Sequence, residues 1–314
     1  MERQRLLFLY NPMAGIGKVS ERLGEIVERI AEEGYEITVH PTRAVGDAAE
    51  TAAGADGYDR LLVAGGDGTL NETVSGLLRC SRPPLLGYLP SGTTNDFASS
   101  LSIPKDLFAA LEIALKGVPF RCDVGQLDDR NFVYVAAFGL FTDVSYATPH
   151  SMKTFFGYIA YILEGMKRLG DIKSFHCRVE HDGQVETGDY IFGAITNSLS
   201  VGGFKGFTGD HVLLDDGLFE VMLVRRPANL SEFNATVGSL LKKDPNGRID
   251  WFRTDRLELH CDADISWTID GEFGGSRQDI RFTGMKRALR ILVDPERLDK
   301  LPADPAQFSG PADR

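Results

Sequence analysis

At 314 residues, 43% apolar and 25% charged, the chain can bury a sizeable core and exceeds the usual size of one domain, so two domains are expected. A formal net charge of −11 argues against a nucleic-acid partner, which needs a basic face, and against broad adhesion to anionic bilayers; any membrane contact must be local. The four cysteines, Cys80, Cys122, Cys177 and Cys261, are far apart in sequence, with no CxxC pair and no histidine at zinc spacing, and read as reduced thiols.

The amino terminus shows no signal-peptide pattern and no later run approaches the length of a membrane-spanning helix, so a cytoplasmic protein without a transmembrane span is expected. The glycosylation-like triplets at Asn71, Asn229 and Asn234 are then chance matches. From 6 to 116, short apolar runs alternate with helical patterns. Strands are expected at 6–10, 35–39, 60–64 and 85–89, and helices at 19–31, 46–53, 70–78 and 105–116, the signature of βαβ units with a parallel sheet. From about 120 strands follow one another, at 121–127, 132–138, 175–180, 190–196, 219–224, 257–261, 265–269 and 280–283, a mostly antiparallel pattern. Helices at 153–169 and 230–241 interrupt it, and a last strand at 288–293 precedes a tail rich in Pro, Asp and Ala.

Three loops of the first half each follow a strand, where open α/β sheets bind ligands. The first, Asn11-Pro12-Met13-Ala14-Gly15-Ile16-Gly17-Lys18, has glycines that let backbone amides approach a phosphate. It is neither a Walker A loop, because Val19 follows Lys18, nor a dinucleotide fingerprint, because Ser20 stands at the third glycine position. A plain strand-to-helix turn is the alternative. The second is Gly65-Gly66-Asp67-Gly68-Thr69-Leu70-Asn71-Glu72. Paired glycines and a helix start favour an anion there, and Asp67 would repel a phosphate unless a magnesium ion intervened. The alternative is an Asp-Gly turn with Thr69 or Asn71 as the helix cap. In the third, Pro90-Ser91-Gly92-Thr93-Thr94-Asn95-Asp96-Phe97-Ala98, hydroxyls and an amide crowd before a short helix that Asp96 could cap, and the same groups can contact adenine, ribose or phosphate; capping alone is the alternative.

On these three loops and two later motifs the chain, over about 5–295, resembles the diacylglycerol, sphingosine and ceramide lipid kinases, particularly their soluble bacterial members. GGDGT alone is shared with NAD kinases and more loosely with phosphofructokinases, whose parallel sheet the first domain is then expected to share; GTTNDFA narrows the choice to lipid kinases. The resemblance implies an ATP site lined by Asn11, Pro12, Met13, Ala14, Gly15, Thr42, Gly65, Gly66, Asp67, Gly68, Thr69, Leu70, Asn71, Glu72 and Thr93, with Asp67 acting through Mg2+. It implies transfer of the γ-phosphate of ATP to a lipid hydroxyl, diacylglycerol to phosphatidic acid first among candidates. The rivals are an NAD kinase and a non-catalytic nucleotide or lipid sensor.

In the second half, Ile265-Ser266-Trp267-Thr268-Ile269-Asp270-Gly271-Glu272 alternates as a half-buried strand. If the strand stays extended through Gly271, Asp270 and Glu272 share a face about 7 Å apart, with Ile265, Trp267 and Ile269 toward the core. By the residues alone DGE is a surface turn; by the resemblance Glu272 is the proton acceptor and Asp270 supports it or shares metal contacts. Leu213-Leu214-Asp215-Asp216-Gly217-Leu218 is a turn, and the resemblance adds a structural magnesium held by the Asp216 side chain and the carbonyls of Leu213 and Leu218. It also offers Asp123 as part of a network joining metal to active site, against a strand-end carboxylate in solvent.

Packing against a sheet accounts for the apolar face of helix 153–169; the alternative is that Phe156, Tyr161 and nearby basic residues touch a bilayer. Loop 202–207 is a candidate for the lipid entrance. The six histidines show no catalytic or metal-cage pairing and read as structural. The domain expectation is 1–125 for ATP, 126–285 for the lipid, 286–300 as a strand returning to the first domain and 301–314 as tail. The partner is a membrane lipid met at the bilayer surface by peripheral association, and a homodimer is kept open.

Overall fold

A computed structural model describes residues 3–139, 173–198, 200–201, 204–205, 212–242 and 247–301. The expected helix 153–169, loop positions 202–203 and 206–207, and the tail beyond 301 lie outside the described residues. The chain divides into two compact units, Met1–Asp123 with Arg287–Arg314, and Val124–Lys286. The segment from Arg287 onward therefore clusters with the first unit.

Unit 1 alternates strands and helices: β1 (Arg5–Tyr10), α1 (Lys18–Glu21), α2 (Leu23–Glu32), β2 (Glu36–Pro41), α3 (Asp47–Ala53), β3 (Arg60–Gly65), α4 (Asp67–Leu77), β4 (Leu85–Pro90), α5 (Asp96–Ser100) and α6 (Leu107–Lys116). β1 pairs with β2 and β3, and β3 with β4, each in parallel register. Leu6 to Leu9, Leu61 to Ala64 and Leu86, Tyr88 and Leu89 are all buried, as strands covered on both faces must be. The amphipathic α2 buries Ile26 and Ile30, and its Arg29 reaches Glu112 of α6 at 2.5 Å. Arg60 at the start of β3 donates to the last carbonyls of α6, Ala114 at 2.9 Å and Leu115 at 2.5 Å, which satisfies oxygens the helix end leaves open.

The remaining strands are β5 (Val118–Leu127), β6 (Arg130–Phe132), β7 (Val135–Gly139), β8 (Phe175–His181), β9 (Gln184–Thr196), the two-residue β10 (Ser200–Val201) and β11 (Phe204–Lys205), β12 (Phe219–Arg225), β13 (Ile249–Thr254), β14 (Arg256–Ile269) and β15 (Glu272–Val293), with α7 (Leu230–Lys242) among them. In unit 2 β12 pairs with β13 and β9, β9 with β8 and β7, and β14 with β8, β7 and β15, every pairing antiparallel. β7 and β8 thus lie end to end between β9 and β14. Phe132, Phe219 and Phe282 pack their rings 5.0 to 5.9 Å apart, and Phe138 lies 4.9 Å from Trp267, in a core that includes Ile265, Trp267 and Ile269 as the alternation requires.

The structure corrects several expectations. Strands 257–261 and 265–269 are one strand, β14, continuous through an irregularity between His260 and Ile265. Segments 280–283 and 288–293 are both parts of β15, a 22-residue strand. Strand β13 was not expected, because Ile249-Asp250-Trp251-Phe252-Arg253-Thr254 carries two charges in six residues. Cys177 and Cys261, far apart in sequence, are direct neighbours across β8 and β14 with their sulfurs 2.6 Å apart; this contact, with burial, raises the Cys261 thiol pKa. Both are free thiols. Among the described residues no helix is long and apolar enough to cross a membrane.

Candidate active site

In unit 1 the three glycine-bearing loops meet at the carboxyl ends of β1, β3 and β4. Asn11 continues β1, its amide donating to Ala64 at 2.9 Å. Its side chain joins two loops: Oδ1 accepts the Met13 amide at 2.9 Å and Nδ2 donates to Thr69 Oγ1 at 3.3 Å. Ser91 N donates to the Gly65 carbonyl at 2.9 Å, tying the third loop to the second. Contact here is backbone on backbone. A Cβ on Gly92 would lie 2.6 Å from Gly66 Cα, and one on Gly15 would lie 2.8 Å from the Ser91 carbonyl oxygen. Larger residues cannot enter without moving a loop.

α4 begins at Asp67 with Gly66 as its cap residue, which corrects the alternative of a cap at Thr69 or Asn71. The start of α4 directs the positive end of the helix dipole at the loop. Asp67 Oδ2 accepts the Asn95 amide at 3.0 Å. Asn95, not Asp96, precedes α5 as its cap residue, in left-handed backbone at φ 55°. Its side chain grips its own loop, Oδ1 accepting from Gly92 N at 3.0 Å and Nδ2 donating to Gly92 O at 2.8 Å. The Tyr88 hydroxyl lies 3.3 Å from both Asn95 Oδ1 and the Gly65 carbonyl. Burial, with the Asp67 charge beside it, raises that phenol well above its ordinary pKa, so it remains a donor. Tyr88 was not foreseen beside this loop; Asn95 is the amide that the third loop offered, but its contacts with Gly92 and Asp67 were not foreseen.

The other unit 1 residues divide by role. Thr42 is held after β2 by its amide on Tyr10 O at 2.8 Å. Glu72 accepts the Gly46 amide at 2.8 Å and so anchors the start of α3. Leu70 is fully buried and offers only backbone, whereas Met13 is 84% exposed and Thr93 is exposed. Pro12, Ala14, Gly68 and Asn71 complete the loops. Asp123 is buried with Oδ1 on the Arg287 amide at 2.6 Å, which overturns the solvent-exposed alternative for it.

In unit 2 the backbone is not extended through Asp270 and Gly271, so the condition for the two acids to share a face fails, and the turn that the residues alone suggest is what stands there. β14 ends at Ile269 and β15 starts at Glu272, so the two form a two-residue hairpin turn with φ 47° and 87°, the left-handed pair such a turn requires. The turn separates the environments of the two acids. Asp270 is 4% exposed and accepts three backbone amides, Val133 at 2.8 Å, Tyr134 at 3.1 Å and Val135 at 3.0 Å. Glu272 is exposed.

The Asp216 turn also belongs to unit 2. Asp216 Oδ1 accepts the Leu218 amide at 2.9 Å and Oδ2 pairs with Arg253, whose Nε lies 3.1 Å from Glu220. Burial pushes the Glu220 carboxyl up to about 8, with Arg253 opposing. Arg253 and Glu220 were not foreseen, because only β12–β13 pairing brings them to this turn. A groove of about 560 Å³ lies elsewhere in unit 2, lined by Asp128, Asp129, Glu258, His260, Asp279 and Arg281 among others, and no candidate site residue lines it. His40, His176, His181 and His260 each pair with a carboxylate; His150 and His211 lie outside the described residues. Among the described residues no three His, Cys, Asp or Glu side chains converge as a metal cluster.

A family model of the diacylglycerol kinase catalytic domain matches residues 5–127, the segment that carries all three loops. Over 306 residues the chain is 32% identical to a diacylglycerol kinase of Bacillus subtilis (strain 168), with 96% of this chain and 99% of the relative covered. The chain belongs to the diacylglycerol kinase family. It is thus an ATP-dependent lipid kinase. A diacylglycerol kinase of Staphylococcus aureus (strain MRSA252) is 34% identical over 297 residues, covering 93% of each chain. The fold is shared with a crystal structure of a protein described as a diacylglycerol kinase from Bacillus anthracis str. Sterne, at TM-score 0.79 and 22% identity over 95% of this chain and 100% of that one.

Proposed function

We propose that this kinase transfers the γ-phosphate of ATP to the free hydroxyl of diacylglycerol, giving phosphatidic acid. The observation that supports this best is the interlocking of the Asn11, Gly65 and Pro90 loops, which gathers backbone amides and the Asp67 carboxylate at the start of α4. Unit 1 is the ATP-binding part in this reading and unit 2 the lipid-binding part, and the sheet of unit 1 is of the NAD-kinase and phosphofructokinase kind. Asn11 to Gly15, Thr42, Gly65 to Glu72 and Thr93 line the nucleotide site. Loop amides receive phosphate oxygens, and the positive end of α4 favours their charge.

Asp67 presents a hard carboxylate oxygen beside that loop, a donor chemistry that fits magnesium, which would neutralise phosphate charge there. At the Asp216 turn the donors are a carboxylate shared with Arg253 and the carbonyls of Leu213 and Leu218, all oxygen, and a second magnesium belongs to the same proposal. In transfer, the lipid oxygen bonds to the γ-phosphorus as the bond to the ADP oxygen breaks, and the hydroxyl proton passes to Glu272. Asp270 supports it. The work is peripheral, at the bilayer surface and from the cytoplasm, and a homodimer is carried as a separate part that a monomer mass by light scattering removes.

The test is incubation with radiolabelled ATP, magnesium and a lipid panel in mixed micelles. Labelled phosphatidic acid is expected in the organic extract. Label on another lipid changes the substrate. Label on aqueous NAD moves the assignment to the NAD kinases, and no turnover with any acceptor leaves a nucleotide or lipid sensor.

A further inference from the structure

Strand β14 delivers its chain into the Asp270–Gly271 turn, and Glu272 is the first residue beyond it. The turn joins the paired ends of the two strands, Ile269 standing opposite Glu272. Here it is gripped from the side. The Asp270 carboxylate spans three successive amides, Oδ2 on Val133 and Oδ1 on Tyr134 and Val135, while its own amide donates to the Val135 carbonyl at 2.9 Å. Successive amides converging on an anion form a nest, and a buried carboxylate there makes charge-assisted bonds shielded from water. Val135 opens β7, the strand paired with β14 at Trp267, Thr268 and Ile269. The same strand that flanks the end of β14 is thereby locked to the turn.

We infer that Asp270 is a positioning residue that acts through Glu272: its carboxylate fixes the turn to residues 133–135, and neither takes the proton nor holds the metal. This rests on Glu272 as the proton acceptor. Both Asp270 oxygens accept amides that orient the turn, and proton transfer is sensitive to the placement of the acceptor, a displacement of about 1 Å costing on the order of 100-fold in rate.

The test compares Asp270→Asn, Glu272→Gln and the double variant of the full chain, by kinetics and by hydrogen exchange of amides 133–135. Asp270→Asn keeps a residue tolerant of left-handed backbone and one acceptor oxygen, but turns an NH2 group toward the amides. Expected are a fall in kcat of about 10- to 100-fold, unchanged KM for ATP and lipid, unchanged magnesium half-saturation, and faster exchange at 133–135. Glu272→Gln should lose turnover with those amides still protected. The double variant should be no slower than Glu272→Gln alone. A raised magnesium requirement in Asp270→Asn, a multiplicative loss in the double variant, or amides that stay protected would overturn the proposal. Full activity of Glu272→Gln would instead remove the proton acceptor, while the exchange result still reports on the turn. Should Asp270→Asn not fold, Gly271→Ala strains the turn from its other residue. It should lower kcat at constant KM with 133–135 still protected, and an unchanged kcat would overturn the role of the turn.

Discussion

The two candidate regions are built by opposite means. In unit 1 the loops are held by contact between backbones, with glycines at Gly15, Gly66 and Gly92 setting how closely they approach. In unit 2 the Glu272 turn is held by charge, one buried carboxylate against three amides. A site for a polyanion gains from exposed amides and small residues, because each side chain removed lets another N–H reach an oxygen. A proton acceptor must stand in one place, and a buried ionic grip supplies that orientation. Unit 1 should therefore be damaged most by added volume, and unit 2 by lost charge.

The largest effect that could break this comparison is at the two carboxylates. Glu272→Gln or Asp67→Asn is expected to lower kcat about 100- to 10,000-fold while the circular dichroism spectrum and melting cooperativity stay native. A variant of either that turns over at the parental rate removes its residue from the mechanism. Chelation of magnesium should abolish turnover reversibly.

Next come the glycines. Gly92→Ala places a Cβ 2.6 Å from Gly66 Cα, and overpacking of this kind destabilises by about 1–3 kcal/mol. Its KM for ATP should rise while that for lipid stays constant, measured by varying each at saturating levels of the other. If lipid KM moves instead, the loops do not serve the nucleotide.

Asn95→Ala sharpens the picture by removing the side-chain grip on Gly92 and the residue type that tolerates φ 55°. Loss of buried hydrogen bonds and of a tolerant left-handed residue together give about 1–3 kcal/mol in urea unfolding. The effect should fall mainly on ATP affinity. The smallest change is expected from Arg60→Met, which keeps the apolar stem but frees two carbonyls at the end of α6, at about 1 kcal/mol. Its kcat should match the parent, because Arg60 opens β3 at the end away from the loops; a fall in kcat would mean that the helix end communicates with the site.

The sequence by itself determined the strand–helix alternation of unit 1, the strand succession of unit 2, the three loops and the acidic pair, since these rest on local periodicity and on glycine and turn chemistry. Local signals also fell short: the sequence left Asp270–Gly271 open between a turn and a continued strand, which the left-handed pair decides for the turn, and charges in 249–254 concealed an edge strand. Only tertiary structure decided that Asn95 rather than Asp96 caps α5, that Arg253 and Glu220 gather at Asp216, that Cys177 faces Cys261, and that Asp270 is buried while Glu272 is exposed. Each depends on strand register or loop contact between residues distant in the chain. Such pairings are chosen by the packing of whole elements, which no run of neighbouring residues encodes.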